Sequence, residues 1–297
     1  MEKINYSVII PTRNIPQLLK RCLDSIPERD DLQVIIVDDN SDPEIVDFDH
    51  YPGLERKDVQ VVFTKEGRGA GYARNVGVEK AQGKWLVFAD SDDYFLPAFN
   101  SVLDKYVDDE SDILFFDVDS VYSDSLAPSP RHRARSKALN GMSGPKLDRY
   151  CRYKYTEPWG KFIKRALVVG HGIKFDETPV ANDYMFSIKT GHSAAQVKYV
   201  PVVLYCLTTR PGSLSFQKAD SEAKVMTRLG VYDDVQRFLD EEKVGIRPFS
   251  EFAFSTWLNR PGYRKIISDY CRKNGRRFFK VFLEYCSEKI RIMSAGY

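Results

Sequence analysis

The amino-acid sequence predicts an α/β fold, with a mostly parallel sheet flanked by helices and a helical extension at the C-terminal end. Over the first hundred residues, short runs of β-branched residues alternate with helical patterns. Continuous apolar strands of this kind are typical of parallel sheets that are covered on both faces. After about residue 215 the pattern is helical. We therefore expect one domain over residues 1–215, with halves near 1–118 and 147–215, and a helical region over 216–297.

The spacing of apolar residues predicts the individual elements in chain order. Helical spacing indicates helices over residues 18–26 and 71–81. Residues 123–146 are rich in Ser, Pro, Gly and basic groups, which predicts a mobile loop. The predicted strands cover residues 6–10, 34–37, 59–63, 85–89, 112–118 and 197–207.

The composition excludes several classes of protein. The 297 residues contain 44 Lys and Arg against 42 Asp and Glu, so the net charge of +2 gives no sign of a nucleic-acid partner, and we expect none. The five cysteines are scattered and form no CxxC pair, as is typical of a reduced, cytoplasmic protein. Apolar runs stay well below the roughly 20 residues of a membrane span. The first residues also lack the apolar core of a signal peptide.

Open parallel sheets bind ligands at the carboxyl ends of their strands. This rule selects four loops, at residues 11–14, 38–42, 67–75 and 90–93.

The last of these loops contains Asp90-Ser91-Asp92. Residues two apart project from the same side of an extended chain, so the two carboxylates can converge on one point. Such a pair suits Mg²⁺ or Mn²⁺ with coordination sites left for a diphosphate. An alternative stays open, in which Asp92 or Asp93 caps a helix that begins near Phe95.

The second and third loops carry other polar groups. Asp39 can accept hydrogen bonds from a nucleobase or a ribose, whereas Asx-turn chemistry explains Asn40 and Asp42. The loop at residues 67–75 is rich in glycine and opens a helix, where backbone amides favour phosphate. A dinucleotide fingerprint fails because Tyr72 occupies its last position. Arg74, one turn inside this helix, is the candidate for a bidentate contact with a pyrophosphate.

Four motifs occur in order along residues 6–215: SVIIPTRN, IIVDDNSD, GAGYARNVGVEKAQGKWLVFADSDD and KFIKRALVVGHGIKFDE…NDYMF. Together they resemble the family 2 glycosyltransferases, whose fold is called GT-A. The resemblance implies an enzyme that moves a sugar from a nucleotide-sugar donor, expected to be a UDP-sugar, to a hydroxyl of a glycan or lipid-linked glycan acceptor. The chain resembles in particular the bacterial glycosyltransferases of polysaccharide biosynthesis.

The resemblance also implies roles in donor binding. Pro11, Thr12 and Asp39 match the positions that hold the nucleoside. Arg13 stands where the family often has an aromatic residue that stacks on the base, and a planar guanidinium could stack there instead. Arg210 begins an Arg-x-x-Ser segment similar to one that closes over the diphosphate, although a plain β-turn fits this segment nearly as well.

The family's acidic metal-binding motif maps to Asp90 and Asp92. The resemblance implies that Asp92 ligates Mn²⁺ or Mg²⁺ directly and that Asp90 contacts the ribose or the metal. Asp93 is expected to support the loop.

Family 2 enzymes generally invert the anomeric centre in one displacement, which needs a base near the acceptor hydroxyl. Asp183 matches the position of this base. Asn182 stands where the family more often has a Glu. Two alternatives stay open: Asp183 caps the helix that begins at Tyr184, or the chain is a catalytically impaired module that binds nucleotide sugars or glycans.

The C-terminal region is basic, because residues 257–297 contain ten Lys and Arg and three Asp and Glu, a net charge of +7. We expect its apolar stripe to pack on the protein, since Glu284 and Glu288 lie among the positive residues. The alternative is peripheral contact with the inner face of the plasma membrane. Helical spacing places on the stripe Phe278, Phe279, Phe282, Leu283, Cys286, Ile290 and Met293.

Overall fold

The computed structural model describes residues 3–130, 139–210 and 221–294, with side chains up to residue 287. The chain divides into two compact units. The first comprises residues 1–177 and 186–216, and the second comprises residues 178–185 and 217–297. Each unit has a hydrophobic core of its own. Parts of the predicted loop at 123–146, and the turn that follows Arg210, lie outside the described residues.

Among the described residues, the first unit is built on one eight-stranded sheet with the order β3-β2-β1-β4-β7-β6-β8-β5. The strands from β1 to β4 pair in parallel, and so do β6 and β8. Three other pairings, β4 with β7, β6 with β7 and β5 with β8, are antiparallel. The strands are β1 Tyr6–Thr12, β2 Leu32–Asp39, β3 Val59–Thr64, β4 Trp85–Phe88, β5 Tyr94–Phe95, β6 Ile113–Tyr122, β7 Lys161–Lys164 and β8 Val197–Thr209.

The sheet confirms the predicted α/β class and differs from the prediction in two respects. The short strands β5 and β7 were not predicted, and they bring antiparallel pairing into the sheet. Between β2 and β3 the chain forms turns, where the alternating pattern predicted a helix.

Helices cover the sheet, and glycine allows one of them a close approach. A Cβ on Gly77 would lie 2.4 Å from Ile9 Cγ2, so a side chain there would push α2 away from β1. Up to residue 193 the helices are α1 Pro16–Asp24, α2 Ala70–Lys80, α3 Ala98–Tyr106, α4 Gly144–Tyr153, α5 Arg165–Gly170 and α6 Tyr184–Ser193.

The central strands of the sheet are buried from end to end. Every residue of β1 and β4 is buried, as expected for strands covered on both faces. The ring centre of Phe162 in β7 lies 5.5 Å from that of Tyr6 and 4.8 Å from that of Phe116. The Tyr6 hydroxyl donates to Leu103 O at 2.7 Å. This packing fixes the strand ends and therefore the loops that follow them.

The second unit is helical, as the pattern after residue 215 predicted. Its core contains a buried carboxylate, Asp233, which accepts hydrogen bonds from Arg276 Nε at 2.6 Å and Arg237 Nη2 at 3.0 Å. In neither unit is a described helix both long and apolar enough to cross a membrane. The helices are α7 Glu222–Glu241, α8 Pro248–Asn259, a 3₁₀ turn Pro261–Tyr263, α9 Arg264–Lys273 and α10 Phe278–Ser294.

Candidate functional site

The four predicted loops follow strands that end at the same edge of the sheet, and the first two loops are interlocked. Asn14 N donates to Ser41 Oγ at 2.8 Å, and Asp42 N donates to Asn14 Oδ1 at 2.7 Å. Pro11 and Thr12 are buried at the end of β1, where Thr12 lies in register with Asp38 of β2. The carboxyl ends of β1 and β2 therefore form one surface.

Asp39 ties the second loop to the glycine-rich loop. It is only 4% exposed, and its two oxygens accept hydrogen bonds from Arg68 N at 3.0 Å and Gly69 N at 2.6 Å. Gly67 has a φ of +62°, which favours glycine, and a Cβ there would lie 3.7 Å from Arg13 Nη1. Asp39 thus holds the loop that opens α2, and the Arg13 guanidinium lies beside that loop.

Asp38, the neighbour of Asp39, has a different role. It is buried and accepts hydrogen bonds from Ser41 N and the Tyr51 hydroxyl, both at 2.7 Å. Burial and the nearby Asp38 carboxylate raise the pKa of the Tyr51 hydroxyl far above its ordinary value. Asp38 therefore shapes the loop from inside the protein.

Asp90 and Asp92, at the end of β4, each pair with an arginine. The nearly buried Arg74 of α2 donates from Nη2 to Asp90 Oδ1 at 2.6 Å, and its guanidinium carbon lies 5.4 Å from the Phe175 ring centre. Arg210, just after β8, lies with Nε 3.2 Å from Asp92 Oδ2. Burial is the main cause that raises the pKa of Asp92, and the Asp90 charge raises it further. The Arg210 charge acts in the opposite direction. The two carboxylates are thus stabilised by cations from two different elements.

Asp93 supports the loop, as predicted. It is buried, and its Oδ1 accepts a hydrogen bond from Thr208 N at 2.7 Å. Helix α3 begins only at Ala98, with Pro97 at its N-cap and no side-chain capping bond. The alternative in which Asp92 or Asp93 caps a helix near residue 95 was therefore wrong, because β5 occupies that position and pairs with β8.

Arg21 of α1 holds the loop at residues 90–93, and the sequence patterns did not predict this role. Its Nη2 donates to Asp92 O at 2.6 Å, and its Nη1 donates to Ser123 O at 3.3 Å. Its guanidinium carbon also lies 5.6 Å from the Tyr94 ring centre. A basic residue in an amphipathic helix gives no sign in sequence that it points to a loop 70 residues away.

Strand β8 supplies two further residues that sequence patterns did not single out. Thr208 Oγ1 donates to Asp92 O at 2.6 Å. The hydroxyl of the buried Tyr205 accepts a hydrogen bond from Asp90 N at 2.8 Å. The backbone on both sides of Ser91 is therefore fixed by a strand more than a hundred residues away in sequence.

A side-chain clamp joins α2 to the segment that follows α5. Asn75 Nδ2 donates to Phe175 O at 2.9 Å, and Phe175 N donates to Asn75 Oδ1 at 2.8 Å. Two residues further on, Glu177 forms an ion pair with Arg68 of the glycine-rich loop. This segment is thus held to the same helix that carries Arg74.

Asp183 lies in the second unit, whereas the loops described above belong to the first. It is half-buried and directly precedes Tyr184, the first residue of α6. Ala181 has a φ of +56°, and Asn182 Nδ2 donates to Thr178 O at 3.2 Å. The two interpretations of Asp183, as a base and as a helix cap, both stay predictions.

Asp90 and Asp92 are suitable ligands for a hard divalent cation. No group of three or more His, Cys, Asp or Glu side chains that could hold a metal lies within the described part of the chain. Two carboxylates are, however, a donor set that suits Mg²⁺ or Mn²⁺, because they leave the remaining coordination sites of the ion to water and diphosphate oxygens. Burial and the Asp90 charge raise the pKa of Asp92, and a divalent ion would stabilise its ionised form. Metal binding stays a prediction.

Comparison with known proteins gives the family. The family model "Glycosyl transferase family 2" matches residues 7–168. EpsH of Bacillus subtilis (strain 168) is 24% identical over 258 residues, which cover 81% of this chain and 71% of EpsH. The poly(ribitol-phosphate) β-N-acetylglucosaminyltransferase TarS of Staphylococcus aureus (strain Mu50) is 25% identical over 214 residues, which cover 70% of this chain and only 36% of TarS.

A solved structure shows the same fold. The crystal structure of S. aureus TarS 1–349 in complex with UDP-GlcNAc is similar to this chain with a TM-score of 0.59 and 22% identity. The similarity covers 84% of this chain and 73% of that one. The family match spans the strands and loops from β1 to β7, which include Asp39, Asp90 and Asp92. This chain therefore belongs to glycosyltransferase family 2, a family of sugar-transferring enzymes, and has the GT-A fold.

Proposed function

We propose that this protein transfers a sugar from a UDP-sugar donor to a hydroxyl group of a glycan or lipid-linked glycan acceptor. The observation that carries the proposal is the series of contacts from Asp39 through the glycine-rich loop and α2 to Asp90. Carboxylates, arginines and helix-terminal amides are the groups that recognise ribose, base and diphosphate. Here they share one edge of the sheet.

The relatives suggest which donor to test first. The TarS structure holds UDP-GlcNAc, so we propose UDP as the nucleotide and an N-acetylated hexosamine as the first candidate sugar. The name of TarS describes a poly(ribitol phosphate) acceptor, which makes a polyol-phosphate polymer a reasonable acceptor to include. This chain spans little more than a third of TarS.

We keep the donor-binding residues that the sequence implied and change the role of Arg74. We assign the nucleoside to Pro11, Thr12 and Asp39, with the Arg13 guanidinium available to stack on the base. Arg74 is buried and bound to Asp90. We therefore propose that it positions this carboxylate, whereas the sequence suggested direct contact with the pyrophosphate.

The diphosphate needs positive charge. Asp92 and Asp90 would hold Mn²⁺ or Mg²⁺, which when bound supplies a charge that stabilises the leaving diphosphate. Arg210 pairs with Asp92 in this structure. With donor bound, its guanidinium can form charge-assisted hydrogen bonds to a phosphate oxygen instead.

The reaction that we propose is a single displacement with inversion. The acceptor hydroxyl oxygen attacks the anomeric carbon, the bond from this carbon to the diphosphate oxygen breaks, and the hydroxyl proton passes to the Asp183 carboxylate. The products are the glycoside and UDP. Asn182 binds the carbonyl of Thr178, so its amide supports the turn that presents Asp183.

Two experiments test these roles separately. Thermal stabilisation by nucleotide sugars with Mn²⁺ identifies the donor, because a ligand at 100 times its dissociation constant stabilises by about 2.7 kcal/mol. Asp183→Asn should then keep this stabilisation and lower the transfer rate by about 10²- to 10⁴-fold. Asp234→Asn, an exposed acid in the same unit, is the matched control and should change neither.

The outcomes distinguish the competing interpretations. Transfer that survives in Asp183→Asn would show that another group is the base. Wild-type protein that binds UDP-sugars but releases no UDP with any acceptor would favour the catalytically impaired binding module.

A further inference from the structure

We propose that the second unit docks on the surface of a lipid bilayer that contains anionic lipids, through an exposed apolar face of α10. This docking face consists of Phe279, Phe282 and Leu283. Phe279 is 70% exposed and Leu283 50% exposed. The Phe279 and Phe282 rings lie 6.3 Å apart, so the face is contiguous.

Helix α10 has a second apolar face, which packs on α8, and Phe282 lies between the two faces with its ring centre 5.0 Å from that of Phe254. Val281 is buried in the core of the unit. The Phe254 ring of α8 lies 4.9 Å from Tyr285 and 6.0 Å from Phe278. Because successive residues of a helix are rotated by about 100°, Phe278, Val281 and Tyr285 point away from Phe279 and Leu283. Among the described residues, packing on the protein therefore covers part of Phe282 but leaves Phe279 and Leu283 largely exposed.

The segment that carries the docking face is basic, because residues 272–283 contain five Lys and Arg and no Asp or Glu. Arg277 is exposed, and the Lys280 side chain is 74% exposed. At the end of α9, the Arg272 side chain is 82% exposed and forms a surface ion pair with Asp269 at 2.7 Å. Glu284 is mostly covered, accepts a hydrogen bond from the Ser250 hydroxyl, and lies 3.9 Å from the Lys280 ammonium group, a distance at which the pair is weak. A negatively charged partner surface is therefore complementary to this region of the chain.

An anionic bilayer satisfies both requirements at once. Aromatic and leucine side chains of an amphipathic helix enter the boundary between headgroups and acyl chains, while basic side chains remain at the phosphates. Lys280 is long enough to extend its ammonium group toward the headgroups. A second copy of the chain would bring like charges together across the interface, which opposes association. The two alternatives predicted for this helix, packing and membrane contact, thus use adjacent faces that meet at Phe282.

Vesicle flotation with the full chain tests this proposal. The wild-type protein should float with vesicles of phosphatidylcholine and phosphatidylglycerol, float less with phosphatidylcholine alone, and dissociate as salt is raised. The double change Phe279→Ser and Leu283→Ser should lower the bound fraction by about tenfold or more, because the inserted apolar area is lost. The matched control, Ile45→Ser with Leu54→Ser, removes two exposed apolar side chains of the first unit and should float like wild type.

A second variant tests the charges without touching the apolar face. Arg277→Glu with Lys280→Glu should weaken flotation with the anionic vesicles and leave the weak binding to neutral vesicles unchanged. Absence of wild-type flotation, or equal flotation of wild type and the Phe279 and Leu283 variant, would overturn the proposal. A wild-type dimer in sedimentation equilibrium that this variant abolishes would also overturn it, since the face would then bind a second copy. Transfer to a water-soluble acceptor should be unchanged in these variants, so failure of the docking proposal stays distinct from failure of the proposed function.

Discussion

The two halves of the sheet contribute to the candidate site in different ways. The half formed by β3, β2, β1 and β4 is parallel, and its last loop carries Asp90 and Asp92. The half formed by β7, β6, β8 and β5 is mixed, and from its end Tyr205, Thr208 and Arg210 all contact the loop that contains these two acids. The parallel half presents most of the groups expected to bind the donor, and the mixed half supplies Arg210 and fixes the positions of the two acids. Loss of function and loss of stability should therefore separate between the two acids and the residues that hold their loop.

Asp92→Ala should produce the largest effect on activity. The change removes the proposed metal ligand, whose charge stabilisation is worth several kcal/mol, so kcat/KM should fall by about 10³-fold or more. The pair with Arg210 is lost, but so is the cost of keeping a partly buried charge, so the free energy of unfolding should change little. Steady-state UDP release and chemical denaturation measure the two quantities.

Asp93→Ala is the contrasting variant, because it removes the acceptor for Thr208 N and should destabilise the fold by about 1–3 kcal/mol. Activity of Asp92→Ala close to wild type would contradict the separation.

Arg21→Met should affect both properties. It removes charged hydrogen bonds to Asp92 O and Ser123 O and should lower the free energy of unfolding by about 1.5–3 kcal/mol. Because the loop loses a support, kcat/KM should also fall, by less than in Asp92→Ala. The neighbouring Lys20→Met is the control, since Lys20 forms an exposed pair with Asp24 and its loss should change stability by less than about 0.5 kcal/mol. Equal effects of the two variants would show that Arg21 does not hold the loop.

Tyr205→Phe should have a smaller effect. It leaves the Asp90 amide without its acceptor inside the protein, which costs about 1–3 kcal/mol of stability. The carboxylates remain, so donor binding should weaken only modestly, as titration calorimetry can measure. Tyr122→Phe, on the exposed end of β6, provides the comparison. A Tyr205→Phe protein with wild-type stability would mean that water replaces the hydroxyl.

The pH dependence of donor binding should give the smallest effect. Metal binds the ionised carboxylate, and the pKa of Asp92 is raised by burial and by Asp90. Metal-dependent UDP affinity should therefore be complete at higher pH and fall as the pH is lowered, starting above the range of an ordinary aspartate. Affinity that stays constant into the acidic range would show that Asp92 does not ligate the metal.

The parallel half of the sheet could be predicted from sequence because its strands are continuous β-branched runs. Strand β7 could not, because Lys161–Lys164 is only four residues long and begins and ends with lysine. Its antiparallel place between β4 and β6 is determined by packing far away in sequence, as with Phe162 against Tyr6.

The site shows the same limit. Asp90 and Asp92 could be predicted as candidates because acids at the end of a buried strand form a local pattern. Their partners Arg74, Arg21 and Tyr205 lie 16 to 115 residues from the acids that they contact, and no spacing in the sequence links them. The direct contact of Arg74 with a pyrophosphate was inferred from its place in the helix, and burial against Asp90 could not be foreseen.

Titration calorimetry of UDP with and without Mn²⁺ tests the central claim, that Asp92 and its neighbours form a metal-dependent donor site. The wild-type protein should bind UDP much more tightly when Mn²⁺ is present. Asp92→Asn should lose this metal-dependent gain while the protein remains folded. Equal UDP affinity of the wild type in Mn²⁺ and in a chelator, or an Asp92→Asn protein that keeps the full gain, would contradict the assignment of the site.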